Sequence, residues 1–406
     1  MSTTFRGSKS IFATTLFLFA LAMPAFGQFN SGSTGSDGAL AFPNAKPGDV
    51  IVFDPKSFSP PLDPAHDNIF NFTTITIPAG VTIKLVSNNL AAGPVVWLAT
   101  GAADLEGTLD LSGSNGHLRE NPPIQSLRTP AAPGPGGYAG GVGGNGSSFT
   151  VEPGLGPGGG AAGTSQCGGG GAFTGNSFLV PLFGGSGGGG ENLQGFGGGG
   201  GGGGGAILIA SSVSITVNGT ISANGGSAPS SGGGGGSGGA IRLVAPLIQG
   251  SGHLSAVGGT SGCGGPPFIG GGGTVRLEAF QEGFSGNFPG ANVTAGSPFN
   301  TFVPTAPPTL TVTSLGGVAV NPLPTGSFQV PDVTINSSGP VTVAISASNV
   351  PVNTVVKLEF YSENGPDIFT QSTPLAGSLA SSTASAQVTL PSGFTRGFVF
   401  ASFQSQ

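Results

Sequence analysis

Charge is what this 406-residue chain has least of. Only 7% of its residues are Asp, Glu, Lys or Arg, and 11 basic against 17 acidic side chains leave a net charge of −6. That sign and density exclude a phosphate-neutralising nucleic-acid surface. Histidine occurs three times (His66, His117, His253), cysteine twice and tryptophan once, so metal and nucleophile chemistry has few residues to draw on. Sugar-stacking platforms built on Trp and Tyr are equally short of material, because 29 of the 32 aromatic side chains are Phe. Glycine is the opposite case: with 80 Gly and 34 Pro, helix is disfavoured throughout, since each Gly costs about 1 kcal/mol in a helix relative to Ala. Yet 37% of the chain is hydrophobic, more than a wholly disordered chain carries.

Residues 1–27 read as a secretory signal peptide. Arg6 and Lys9 supply a positive start, Ile11 to Met23 an apolar stretch, and Ala25-Phe26-Gly27 a small-residue cleavage site. Removing it shifts the net charge from −6 to −8, because Arg6 and Lys9 go with it. No later run of about 18 apolar residues could span a membrane. The expectation is a secreted, extracellular or surface-held protein, with the periplasm as the other compartment, and no membrane span once the signal is removed. An oxidising compartment favours a disulfide between Cys167 and Cys263, which sit in similar Gly-Thr-Ser-x-Cys-Gly-Gly contexts 96 residues apart. A metal site using both cysteines with His117 and His253 lacks the short ligand spacing such sites use.

Beneath the glycine lies a repeat of about twenty residues. Val95–Ala99 followed by Asp104–Leu111 matches Ala206–Ala210 followed by Thr216–Ala223, and Ala240–Val244 followed by Gly250–Ala256; Thr274–Ala279 repeats the first half. A unit that short cannot bury its own apolar face and must stack on its neighbours. With Gly107, Gly219 and Gly252 taken as equivalent, strand alternation turns Leu105/Val217/Gly250, Leu109/Ile221/Leu254 and Leu111/Ala223/Ala256 inward. Glu106/Asn218/Ser251, Thr108/Thr220/His253 and Asp110/Ser222/Ser255 then face outward. In this register Trp97 and Leu208 also point outward.

Thr76-Ile77-Pro78-Ala79-Gly80-Val81-Thr82 and Val217-Asn218-Gly219-Thr220-Ile221-Ser222-Ala223-Asn224-Gly225-Gly226 resemble rungs of right-handed parallel β-helices. That is the fold of pectate-lyase-like enzymes and of secreted bacterial adhesin passengers. The resemblance spans roughly residues 70–280 and implies architecture alone, because the long glycine insertions depart from the enzyme members. The expected fold class is all-β: a glycine-rich parallel β-solenoid over 28–301, a linker at 302–308, and an antiparallel β-sandwich over 309–406. That last segment resembles immunoglobulin-like or fibronectin-type modules, with about seven short strands. A glycine-rich insertion covers about 113–205. Within it, 35 of the 75 residues from Ala131 to Gly205 are Gly. Either it is a flexible coil, or it packs against the solenoid by close backbone approach. Partial packing is the expectation, with Phe178–Phe183 docking on the outward Trp97 and Leu208.

Candidate chemistry is sparse. Asp104, Glu106 and Asp110 line one outward strand face, and Arg119, beside His117 and Glu120, is the nearest basic group. Paired carboxylates of that kind could hold Ca²⁺ or serve a glycosidase or lyase. Neighbouring rungs place Asn218, Ser251, Ser222 and Ser255 beside them, which makes a solvated face the expectation, with no resident cofactor or metal. Arg242 and Arg276 should stack about 4.8 Å apart as a surface pair, relieved by Glu278 or by an anionic ligand. The function these features favour is structural or adhesive, with matrix, cell-surface, polysaccharide or self-association partners. The alternatives are a polysaccharide-active β-helix enzyme and a carbohydrate-binding module centred on Trp97.

Overall fold

The computed structural model describes residues 29–119, 129–144, 150–164, 166–193, 197–228, 232–298, 308–320, 331–362 and 365–401. The signal peptide expected at 1–27, most of the linker expected at 302–308, and Glu120 lie outside these. The protein is all-β. No helix among the described residues is long and apolar enough to cross a membrane.

The first fourteen strands run β1 (Val50–Val52), β2 (Ile69–Phe72), β3 (Ile75–Ile77), β4 (Thr82–Lys84), β5 (Val95–Ala99), β6 (Ala103–Leu105) and β7 (Thr108–Asp110). Then follow β8 (Ala206–Ser211), β9 (Ser214–Val217), β10 (Thr220–Ser222), β11 (Ala240–Gly250), β12 (His253–Ser255), β13 (Thr274–Phe284) and β14 (Asn292–Gly296). All of them pair in parallel. One sheet has the order β1-β4-β7-β10-β12; the other runs β2-β5-β8-β11-β9-β6-β3, with β13 and β14 continuing beyond β11. Successive passes of the chain therefore add strands to both sheets, so equivalent residues stack about one strand spacing apart.

The inward side chains form one continuous core. Ile83, Leu109, Ile221 and Leu254 make a column from the five-stranded sheet, and Ile77, Leu105 and Val217 one from the other, each fully or almost fully buried. The corners between the sheets are tight. A Cβ on Gly219 would sit 1.8 Å from the carbonyl oxygen of Gly107, and one on Gly252 would sit 2.1 Å from that of Gly219, so the stacked corners admit only glycine.

In β5 the expected register fails by one residue. Trp97 pairs with Ile209, and Val96 with Leu208. Trp97 is fully buried in the core against Phe53 and Phe72, with ring centroids 5.6 and 6.0 Å away. Leu208 does face outward, beside Leu98, Ala210 and Val244. β13 also carries the fourth repeat further than the half copy expected, pairing with β11 from Thr274 to Phe284.

After Asp110 the chain leaves the sheets for 95 residues before β8 begins at Ala206, and that excursion is packed along much of its length. The run 197–205 shows how. The amides of Gly199, Gly202 and Gly205 donate to the carbonyls of His117, Ser114 and Leu111. Those of Gly200 and Gly203 donate to Gly141 and Tyr138, and those of Gly201 and Gly204 to Gly234 and Ser237. Every third residue faces the same neighbour. A β-strand would alternate with a period of two; three residues per turn without internal hydrogen bonds is the geometry of a polyproline II helix. The carbonyls of Gly198, Gly201 and Gly204 in turn accept from Glu191, Gly188 and Gly185. The result is a lattice of extended glycine helices. Its segments leave the five-stranded sheet near 111, 223 and 256 and return to the other sheet near 205, 239 and 273. Cys167 and Cys263 close a disulfide across two of its loops.

The remaining strands are antiparallel: β15 (Thr309–Leu315), β16 (Val318–Ala319), β17 (Val341–Ser348), β18 (Val355–Ser362), β19 (Ile368–Pro374), β20 (Ala376–Gly377), β21 (Ser382–Val388) and β22 (Thr395–Ala401). They form a five-stranded sheet, β16-β15-β17-β21-β20, and a three-stranded sheet, β19-β18-β22. Alternate residues of both sheets, among them Val343, Ile345, Val356, Leu358, Phe360 and Ala386, share one buried cluster.

Candidate functional site

The three carboxylates expected on one strand face are divided between two sheets. Asp104 lies in β6, flanked by Thr76 and Thr216 on the neighbouring strands. Asp110 lies in β7 of the five-stranded sheet, between Lys84 and Ser222, and its Oδ1 accepts the amide of Ser112 at 3.0 Å. Glu106 occupies the corner between them and accepts from Asn218 Nδ2 at 2.9 Å. The turn at Gly107 changes the direction of the chain between Glu106 and Asp110, so strand alternation cannot carry one face across it. Each carboxylate has a hydroxyl, amide or ammonium neighbour from an adjacent pass.

Arg119 is bound elsewhere. Its Nη2 and Nε donate to Glu191, a carboxylate that is 1% exposed and also accepts the amide of Gly198 at 2.8 Å. Arg119 therefore acts as a counter-ion at the edge of the glycine lattice. His117 faces the same region: its Nε2 accepts the amide of Gly143 at 3.1 Å, which requires the neutral ring with its proton on Nδ1, directed at the carbonyl of Leu118. With both cysteines in the disulfide, the cysteine–histidine metal site is overturned. Among the described residues, no group of three or more His, Cys, Asp and Glu side chains gathers in metal-binding geometry. Trp97, the residue a sugar-binding module would use, has no exposed surface.

The most concentrated charge lies where the sequence pointed to a surface pair. Arg242 and Arg276 are register partners on β11 and β13 and do stack, but both are buried, at 3% and 5% exposure. Glu278, fully buried, serves both: it accepts from Arg242 Nε and Nη2 at 3.0 and 3.1 Å and from Arg276 Nε at 2.7 Å. What buries them is the apolar island of the insertion. Leu179 packs against Ala206 and Ala240, and Leu182 against the cluster that contains Leu208. The Ser177 carbonyl accepts from Arg276 Nη1 at 3.3 Å, and the Phe178 ring lies 4.9 Å from Arg276 Cζ. The docking of this run beside Leu208, through Leu182, was legible in the apolar run; Trp97, the other expected docking residue, lies in the core instead, and the burial of the arginines was not legible. The signal was Leu208 itself, because Arg242 stacks directly on it in the next pass. Removing one partner from such a buried ionic group leaves an uncompensated charge and costs about 3–5 kcal/mol.

In the antiparallel part, a surface depression of about 410 Å³ is lined by Lys357, Leu358, Glu359, Phe369, Thr370 and Gln371. It brings one lysine and one glutamate together without a histidine or cysteine. Comparison with protein-family models, curated proteins and solved structures gives no match to the chain.

Proposed function

We propose that the chain is an exported structural or adhesive protein, made of a glycine-rich parallel β-solenoid of the β-helix kind followed by an antiparallel β-sandwich. The observation that carries this reading is the fate of its ionisable groups. The outward carboxylates are spread over two sheets with polar neighbours; of the buried ones, Glu191 and Glu278 are held by arginines and Asp63 by the backbone amides of Asp67 and Asn68. Catalysis on polysaccharides calls for carboxylates converging on one bond at a set separation. Here the ionic groups hold segments in place. The glycine insertion, which in an enzyme would be the natural source of substrate loops, instead forms a hydrogen-bonded body with low-charge faces. Disulfide closure suits an oxidising compartment outside the cytoplasm.

The test is incubation of the mature chain with soluble and insoluble polysaccharides, scored for co-sedimentation and product release together. The reading expects no release of reducing or unsaturated ends. Release that disappears in Asp110→Ala would replace it with an enzyme, and sedimentation without release would narrow the adhesive role to carbohydrate.

A further inference from the structure

The core of the parallel sheets is closed at its first end and open at its last. At the first end Leu40, Phe53, Leu62 and Phe70 are buried over it, and the Phe53 ring lies 5.3 Å from that of Phe70 and 5.6 Å from that of Trp97. At the last end two inward columns run out. Val95, Ile207, Ile241 and Val275 stack in register and are fully buried; the next residue of that column, Val293 in β14, is 41% exposed. Trp97, Ile209, Leu243 and Leu277 make the other column, which ends on Ala295, also exposed. The five-stranded sheet is covered at this end, because the amides of Leu254 and Ala256 donate to the carbonyls of Asn287 and Pro289. β14 has no such cover.

The backbone of β14 shows what it lacks. The Asn292 amide donates to the Gly273 carbonyl, so residues 292, 294 and 296 turn their N–H and C=O groups towards β13, and residues 293 and 295 turn theirs away. β13 is the one strand that pairs with β14. The N–H and C=O groups of Val293 and Ala295 therefore form a free edge, without partners among the described residues. Edges of that kind are commonly blunted by charge, proline or a bulge. β1, the edge strand at the other end of the five-stranded sheet, has Lys46, Asp49, Asp54 and Lys56 around it. β14 reads Asn-Val-Thr-Ala-Gly, with no proline inside it, and the sequence holds no charged residue between Glu282 and Asp332.

This edge is complementary to itself. A two-fold axis perpendicular to the sheet through Thr294 sets β14 antiparallel to its counterpart, with Val293 opposite the second copy's Ala295 and Ala295 opposite the second copy's Val293. Both positions carry outward-turned amides and carbonyls, so each pair exchanges two hydrogen bonds. Opposite side chains share a face, so Val293 comes to lie beside the second copy's Ala295 where each core runs out. A head-to-tail arrangement offers no such match, because the first end of the core is already sealed.

We propose that the protein dimerises through β14, two copies joined end to end into one continuous sheet and core. The inference stands apart from the structural or adhesive reading. A two-fold joint uses up the free edge on both copies, so it gives a closed pair and not a fibre.

The test is the mass of the mature chain in solution, by light scattering and sedimentation equilibrium over a wide range of concentration, with hydrogen exchange read at the amides of β14. The expected result is a dimer in which the Val293 and Ala295 amides are protected, with that protection lost where dilution yields monomer. Ala295→Pro removes an edge donor, touches no bond to β13 and places a ring where the second copy approaches. It should raise the dissociation constant about tenfold or more. Val293→Lys, which brings two like charges to the joint, should weaken the dimer as well. Unchanged emission from the buried Trp97 shows that the fold of each variant is intact. Val50→Lys, at the sealed end, should leave the dimer as it is. A monomer at every concentration, a dimer that both β14 variants leave intact, or association that Val50→Lys abolishes overturns the proposal. A monomer whose β14 amides are protected nonetheless would place another segment of the chain on this edge, and also counts against it.

Discussion

Gly201 and Gly226 are packed so closely that a Cβ on the first would lie 1.8 Å from the carbonyl oxygen of the second. Backbone touches backbone, and no side chain can swing aside to make room. Gly201→Ala should therefore destabilise the protein by about 3 kcal/mol or more, at or beyond the upper end of overpacking costs. Gly265→Ala is the control: it has open space around it and no positive φ, and should be neutral or slightly stabilising through the unfolded chain. Thermal or denaturant unfolding of the two variants side by side checks the lattice directly. Equal stability would mean that the glycine run does not pack this way.

The disulfide closes a separation of 96 residues, which in the chain-entropy model is worth about 4–5 kcal/mol. Cys167→Ser with Cys263→Ser should lower the melting temperature by several degrees, and a reductant should reproduce the shift in the native chain. The reductant should leave the double variant unchanged.

Trp97 is the single tryptophan, and it is fully buried. Its emission should be blue-shifted and resist quenching by iodide, then move to the red on unfolding. Trp97→Ala should cost about 3–5 kcal/mol. Trp97→Phe should cost much less, because it also removes an indole N–H that has no partner.

Burial pushes the Tyr138 phenol above its ordinary pKa. In the unfolded chain that proton leaves near pH 10. The stability tied to neutral Tyr138 is thus fully present below pH 10 and is lost as pH rises through the higher folded value. Tyr138→Phe should flatten the alkaline limb of the stability–pH curve relative to the native chain. A limb that keeps its slope would place the alkaline sensitivity elsewhere.

The stacking of the second half of the repeat was readable because Gly107, Gly219 and Gly252 mark the same corner, and strand alternation works outward from a fixed point. Leu109, Ile221 and Leu254 accordingly pair as expected. The first half slipped because apolar strings such as Val95–Ala99 and Ala206–Ala210 look alike in either register. Counting back ten residues from Gly107 and from Gly219 pairs Trp97 with Ile209, as the structure does. The glycine lattice was harder to read for a physical reason. Its order lies in backbone donors and acceptors, and a row of identical residues carries no side-chain pattern to reveal a period of three. The single shared carboxylate of Arg242 and Arg276 was half visible: spacing along β11 and β13 predicts the pair, whereas their burial depends on where residues 173–183 fold back.

The threefold repeat of donors along 197–205 has a consequence for how this chain can change length. Deleting one glycine turns every later amide by a third of a revolution, so that the donor meant for His117 faces the segment that carries Gly234 and Ser237. Removing three residues restores the phase and shortens the helix by one turn. Length variation in this part of the molecule should therefore be tolerated in steps of three residues, nine bases of coding sequence at a time. A frame of that kind within the reading frame would preserve a structure that residue identity, glycine throughout, hardly records.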